Sequence, residues 1–160
     1  MSQPKSDQLI PAANPLREKV GGRFGAIDPE AIAKAEAALQ SLAGNFAQWL
    51  NDEIVKLDGA RLRVKDEGKT PDSMEALYTR CHDLKGLGTT YGYPIITQFA
   101  ASLCKLTEDK DKRLDAPLTL IDAHIDAIKA AVRKGIKTDE DPVGHALIAE
   151  LEKTVAELSA

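Results

Sequence analysis

Apolar residues recur at three- and four-residue steps along most of the chain, and this spacing restricts the fold more than any other feature. The pattern begins at Asp28-Pro29, where aspartate suits an N-cap and proline suits the first helical turn. It restarts at four further points that each contain a proline: Thr70-Pro71, Pro94, Pro117 and Asp141-Pro142. The sequence therefore predicts five helices, joined by polar loops.

The first predicted helix is long, and Gly59 and Gly68 are expected to mark the connection to the second. Its apolar stripe consists of Ile32, Ala35, Leu39, Leu42, Phe46, Trp49 and Ile54. Five amphipathic helices joined by short loops favour an all-α fold, an antiparallel four-helix bundle with one accessory helix.

Composition agrees with one helical domain that follows an N-terminal tail. The chain has 160 residues, of which 43% are hydrophobic but only 4% aromatic, and many of the apolar residues are alanine and leucine. Residues 28–160 are long enough to bury one core. Residues 1–27 contain three prolines and three glycines with little apolar periodicity, so an extended or flexible tail is expected there.

Charge and cysteine content indicate the class of protein. The net charge is −4 and no basic cluster is present, which argues against a nucleic-acid binder. No signal peptide or membrane span is visible, so we expect a cytoplasmic monomer with no membrane association. Cys81 and Cys104 both occupy apolar helical positions, as buried thiols do in a reducing compartment.

The second predicted helix carries an exposed histidine. At ~100° per residue, Leu77, Cys81, Leu84, Gly88 and Tyr91 share one face. His82 lies nearly opposite that face, so it is expected to point to solvent. Lys85 and Gly86 follow one turn later, on either side of the direction of His82.

These three residue types in this arrangement suit phosphoryl transfer. The neutral imidazole of His82 has a lone pair that can attack phosphorus. The Lys85 ammonium can stabilise the phosphoryl charge, and the absence of a side chain at Gly86 lets another protein approach the imidazole.

Plainer interpretations exist for each residue taken singly. An exposed histidine or lysine on an amphipathic helix is usually a solvated polar residue. Cys81 is interpreted as a core residue, because its side chain diverges by ~100° from that of its neighbour His82. His124 and His145 are expected to be surface or cap residues, and no Glu-x-x-His pair or phosphate-binding glycine loop is present.

The segment from Cys81 to Gly92, CHDLKGLGTTYG, resembles the histidine-containing phosphotransfer (HPt) domains of two-component phosphorelays. The close match covers about a dozen residues, and the helical layout extends the resemblance over roughly residues 29–158. Leu87 stands where a small residue is common in the family, and Thr90 stands where asparagine is common.

The resemblance implies that His82 accepts a phosphoryl group from the aspartyl phosphate of a receiver domain and passes it to another receiver. Lys85 would stabilise the charge and Gly86 would give steric access. The partners would be receiver domains of response regulators or hybrid sensor kinases. They would supply the Mg²⁺, so this chain would need no metal or cofactor of its own. The alternative is a non-catalytic helical adaptor that binds a partner through the same face.

Overall fold

The computed structural model describes residues 28–159, and all regular secondary structure in this range is helical. Helix α1 covers Pro29–Glu67, α2 covers Pro71–Leu87, α3 covers Pro94–Thr107, α4 covers Leu118–Lys134 and α5 covers Pro142–Ser159. A 3₁₀ turn at Arg113–Asp115 lies between α3 and α4. The predicted all-α class is therefore confirmed, whereas the predicted tail at residues 1–27 lies outside the described residues.

Local capping explains why α2 and α5 begin where the sequence predicts. Thr70 caps α2 in a capping box with Ser73, in which each side chain accepts a hydrogen bond from the backbone of the other residue. The Asp141 carboxylate accepts hydrogen bonds from the backbone N–H groups of Val143 and Gly144 at the start of α5. Because these caps use neighbouring residues, they can be predicted from sequence alone.

The predicted break at Gly59 is wrong. Helix α1 continues through this residue and ends only before Gly68, which adopts a positive φ of 85°. A helical glycine costs about 1 kcal/mol relative to alanine. The burial of Leu57, Ala60 and Val64 on either side of Gly59 offsets that cost.

The contacts within the chain divide it into two units, of which the first ends at Leu42 and the second begins at Ala43. In the first unit, the α1 residues Ile32, Leu39 and Leu42 of the predicted apolar stripe are exposed. In the second unit, Trp49 is exposed and the buried face of α1 begins at Leu50. The buried face of α1 thus belongs to its C-terminal half.

Helices α2 and α3 form an antiparallel pair. Near the middle of α2, the thiol of Cys81 contacts Cys104 of α3. Just after α2, the Thr89 backbone N–H donates to the Thr97 hydroxyl of α3 at 2.9 Å. Contacts thus move backwards along α3 as they move forwards along α2. Helix α3 also packs against α4 and α5.

Charged residues join α1 to α4 and show that these two helices are also antiparallel. Asp58 pairs with Lys129 at 2.8 Å, and Arg61, which is buried, pairs with Asp126 at 2.8 Å. One turn further along α1, Lys65 pairs with Asp122 of α4 at 3.2 Å. Burial raises the pKa of Asp58, but the hydrogen bonds that Lys129 and Arg61 donate to its carboxylate outweigh this effect and lower the pKa, so the carboxylate stays ionised.

The core draws on all five helices. The largest fully buried side chains are Phe99, Leu50, Leu57, Met74, Leu77, Leu84, Ile95, Ile96, Leu103, Ile121, Ile125 and Ile128. Helix α5 adds Ile148, Leu151 and Val155. None of the helices within residues 28–159 combines the length and apolarity needed to cross a membrane.

The predicted surface position of His124 is wrong, whereas His145 is exposed as predicted. His124 is fully buried in α4 beside Ile121, Ile125 and Ile128, which share its helix face. Its Nδ1–H donates to the Leu120 carbonyl at 2.8 Å, so its Nε2 accepts from the Ser102 hydroxyl at 2.9 Å. Burial lowers the pKa of His124, and the imidazole is therefore neutral in the core.

Candidate functional site

The buried face of α2 fixes the direction of His82. Met74, Leu77, Cys81 and Leu84 are all fully buried at three- and four-residue intervals. This spacing sets the rotation of the helix, because all four side chains must face the core at once. His82 lies outside that face and is exposed, as the sequence predicts.

Lys85 and Gly86 lie one turn beyond His82, at the C-terminal end of α2. Lys85 is half-buried and Gly86 is exposed. A Cβ atom built on Gly86 would meet nothing within 4 Å, so the space above this residue is open. Lys85 and Gly86 thus follow His82 by one helical turn, with open space at Gly86.

An aromatic ring lies on the other side of His82. The Tyr78 ring centroid is 5.9 Å from that of the imidazole, with an angle of 45° between the rings. The Arg113 guanidinium lies 4.9 Å from the Tyr78 ring centroid, and its Nε donates to the Thr107 carbonyl at 2.8 Å. The Arg113 side chain thus supports the ring that contacts His82.

Sequence reasoning did not identify Tyr78 or Arg113 as neighbours of His82. The spacing of four residues between Tyr78 and His82 could have indicated their contact, because such pairs meet on a helix. Arg113 lies 31 positions beyond His82 in a 3₁₀ turn, and no local pattern places it there.

The other glycine near the site has a different role. A Cβ atom on Gly88 would lie 2.6 Å from the backbone nitrogen of Thr97 and 2.6 Å from its Oγ1. Gly88 therefore permits the close approach of α3 to the end of α2. The sequence pattern separates the two glycines, because Gly88 lies on the apolar face of α2 and Gly86 lies on the side of His82.

Aromatic side chains form a cluster where the chain turns after α2. The Tyr91 ring centroid lies 5.4 Å from that of Phe46 and 5.9 Å from that of Trp49. Trp49 is 44% exposed, while Phe46 and Tyr91 are half-buried. A partly exposed aromatic cluster is a common feature of surfaces that bind proteins.

Residues 28–159 contain no group of three or more His, Cys, Asp or Glu side chains placed to hold a metal ion. An open cleft of about 500 Å³ lies near the ends of α3 and α5, and residues such as Lys105, Lys112 and Leu158 line it. His82, Lys85 and Gly86 do not line this cleft. His82 and Gly86 are exposed, so the candidate site is a surface patch, which suits a macromolecular partner better than a small ligand.

The chain was compared with models of protein families, with curated proteins and with solved structures, and none of the three comparisons gave a match. The resemblance to HPt domains rests on residues 81–92 and on the order of the helices. The geometry adds an exposed imidazole with a lysine and an open glycine one turn away.

Proposed function

We propose that this chain is a phosphorelay carrier in which His82 accepts and donates a phosphoryl group. The observation that supports this most strongly is the exposed imidazole beside the open space at Gly86. An in-line transfer needs the attacking nitrogen, the phosphorus and the leaving oxygen to align between two proteins. An imidazole on a convex helix surface, with no side chain beside it at Gly86, allows that alignment.

The transfer step needs little machinery from this chain. The lone pair of a neutral ring nitrogen attacks the phosphorus of an aspartyl phosphate, an N–P bond forms, and the aspartate carboxylate leaves. The reverse step returns the group to a second aspartate. Lys85 supplies a positive charge near the three phosphoryl oxygens, in both the transition state and the phosphohistidine.

The partners in this proposal are receiver domains of response regulators or hybrid sensor kinases. A receiver supplies the acidic pocket and its Mg²⁺, and this chain supplies His82, Lys85 and the access at Gly86. The carrier works as a cytoplasmic monomer, and its net charge of −4 favours a protein over a nucleic acid as its partner.

The proposed scaffold is an antiparallel four-helix bundle with one accessory helix. Two observations support it, namely the antiparallel α2 and α3 pair and the antiparallel α1 and α4 pair. The loop between α1 and α2 has three residues, and short loops join antiparallel neighbours. A bundle holds His82 on a rigid helix, which serves a reaction that depends on positioning.

A transfer assay with matched histidine variants tests the proposal. Receiver domains phosphorylated with a small-molecule phosphodonor are mixed with the parent chain, His82→Gln or His145→Gln. Both histidines are exposed, so both variants should stay folded. We expect the parent and His145→Gln to gain phosphate and His82→Gln to gain none. Equal labelling of all three proteins would contradict the assignment of His82.

The second candidate is a non-catalytic adaptor, and the exposed Trp49 in the aromatic cluster is the observation that favours it. An adaptor would bind a receiver equally well before and after the receiver is phosphorylated, and would gain no phosphate itself. Binding measured alongside transfer separates the two functions. A carrier loses transfer in His82→Gln but keeps binding, whereas an adaptor shows binding alone in every variant.

A further inference from the structure

Two buried thiols meet directly behind the exposed face of α2. The Sγ atoms of Cys81 and Cys104 lie 2.8 Å apart, although the residues are 23 positions apart in the chain. A disulfide has an S–S distance of roughly 2.05 Å, so the two sulfurs need to approach by less than about 1 Å to bond. The packing of α2 against α3 thus places two oxidisable groups within reach of each other.

The two thiols are not equivalent. The hydrogen bond between the two thiols lowers the pKa of Cys104 against the opposing effect of burial, and the Lys85 ammonium lowers it further. The nearby Glu108 carboxylate opposes this effect. The same hydrogen bond, together with burial, raises the pKa of Cys81. Cys104 is therefore the nucleophilic sulfur, and Cys81 is the thiol that resolves its oxidised form.

Their positions in the helices also differ. Cys104 lies in the last turn of α3, which ends at Thr107, whereas Cys81 lies in the interior of α2. Cys104 keeps a small exposed area, 3% of its surface, so a small oxidant reaches it before Cys81. Cys81 has no exposed area, which protects it from direct attack.

We propose that Cys81 and Cys104 are a redox-modification site, at which a hydroperoxide converts the two thiols into an intramolecular disulfide that ties α2 to α3 beside His82.

The chemistry balances in two steps. The Cys104 thiolate attacks one peroxide oxygen, the O–O bond breaks, and the departing oxygen takes a proton to give water or an alcohol. The resulting sulfenic acid is attacked by the sulfur of Cys81, an S–S bond forms, and the hydroxide that leaves takes the Cys81 proton to give water. Both thiols are oxidised by one electron each, and one peroxide is reduced.

The disulfide forms one residue before His82, on the buried face of the same helix. Formation of the bond does not depend on the proposed phosphoryl transfer, because it needs only the two sulfurs and a hydroperoxide. A failure of either idea can therefore be recognised separately.

Peptide mapping of the oxidised chain tests the proposal directly. The full-length protein is treated with hydrogen peroxide, its remaining thiols are blocked, and it is digested with trypsin without reduction. Cleavage after Arg80, Lys85 and Lys105 places the two cysteines in separate peptides, 81–85 and 86–105. We expect these two peptides to be recovered as one linked species that dithiothreitol separates.

Single substitutions assign the roles of the two sulfurs. Cys81→Ser should accumulate a sulfenic acid on Cys104 that a cyclic diketone traps, whereas Cys104→Ser should leave Cys81 reduced. Circular dichroism checks that each variant is folded. If one is not, the mapping of the parent still decides whether the disulfide forms. Two unlinked reduced peptides after oxidation, or a linkage only between two copies of the chain, would overturn the proposal.

Discussion

Glycine substitutions at the candidate site should change stability and phosphoryl transfer in opposite directions. Gly86→Gln adds a side chain where a Cβ atom meets nothing within 4 Å, so the fold has room for it. Glutamine is favoured over glycine inside a helix by roughly 0.5 kcal/mol, and by less in a last turn such as that of α2. We expect the melting temperature to stay equal or to rise by about 1–3 °C.

Transfer should fall steeply in the same variant. The glutamine side chain occupies the space that an incoming receiver needs, and a misplacement of about 1 Å can slow a positioned reaction by ~10²-fold. Gly59→Gln is the matched control, because Gly59 is also an exposed helical glycine with nothing within 4 Å of its Cβ position. It should gain at least as much stability, because Gly59 lies in the interior of α1, and it should keep the parent transfer rate.

The measurements are thermal unfolding by circular dichroism and the initial rate of transfer from a phosphorylated receiver. Gly88→Ala serves as the opposite case, because its Cβ would lie 2.6 Å from the Thr97 backbone nitrogen. Overpacking of this kind costs about 1–3 kcal/mol and should lower the melting temperature by about 4–12 °C. If Gly86→Gln transfers at the parent rate, Gly86 does not serve access to His82. If Gly86→Gln unfolds, Gly86 serves helix packing instead.

Three further predictions concern charge, pH and the chain boundary. Lys85→Ala should slow transfer or change the lifetime of the phosphohistidine without altering the melting temperature, while the exposed Lys105→Ala should change neither. The lowered pKa of His124 keeps its imidazole neutral in the folded state, so protonation of this residue does not reduce the free energy of unfolding above about pH 6.5. As the pH falls below that value, the unfolded state takes up a proton at His124, and the free energy of unfolding should decrease by up to about 1.4 kcal/mol per pH unit. Chemical denaturation should show that the free energy of unfolding of His124→Gln depends less on pH than that of the parent between about pH 5 and 6.5. Removal of residues 1–27 should leave a folded and phosphorylatable chain, because helical periodicity begins at Asp28. A large loss of melting temperature would show that the boundary is wrong.

The parts of the fold that local chemistry controls could be predicted from the sequence. Thr70 and Asp141 cap their helices through hydrogen bonds to residues two or three positions away, so the starts of α2 and α5 follow from short patterns. The outward direction of His82 follows in the same way from the apolar spacing of α2.

Features that depend on packing could not be predicted in this way. The local sequence at Gly59 predicts the end of a helix, but the burial of residues on both sides of it stabilises α1 through this position. The sequence predicts His124 to be a polar surface residue. Only the packing of α3 against α4 brings the Ser102 hydroxyl within hydrogen-bond distance of its buried ring. The pairing of Cys81 with Cys104 likewise depends on how α2 and α3 align.

Direct mapping of phosphate on the chain tests the central claim most closely. The parent protein is incubated with a phosphorylated receiver, digested at neutral to basic pH, and its peptides are analysed by mass spectrometry. We expect a single phosphoryl group on the tryptic peptide 81–85, which contains His82, and this group should be lost in acid and kept in base. Phosphate on a serine or threonine peptide, or none on this chain after the receiver has lost its own, would contradict the account.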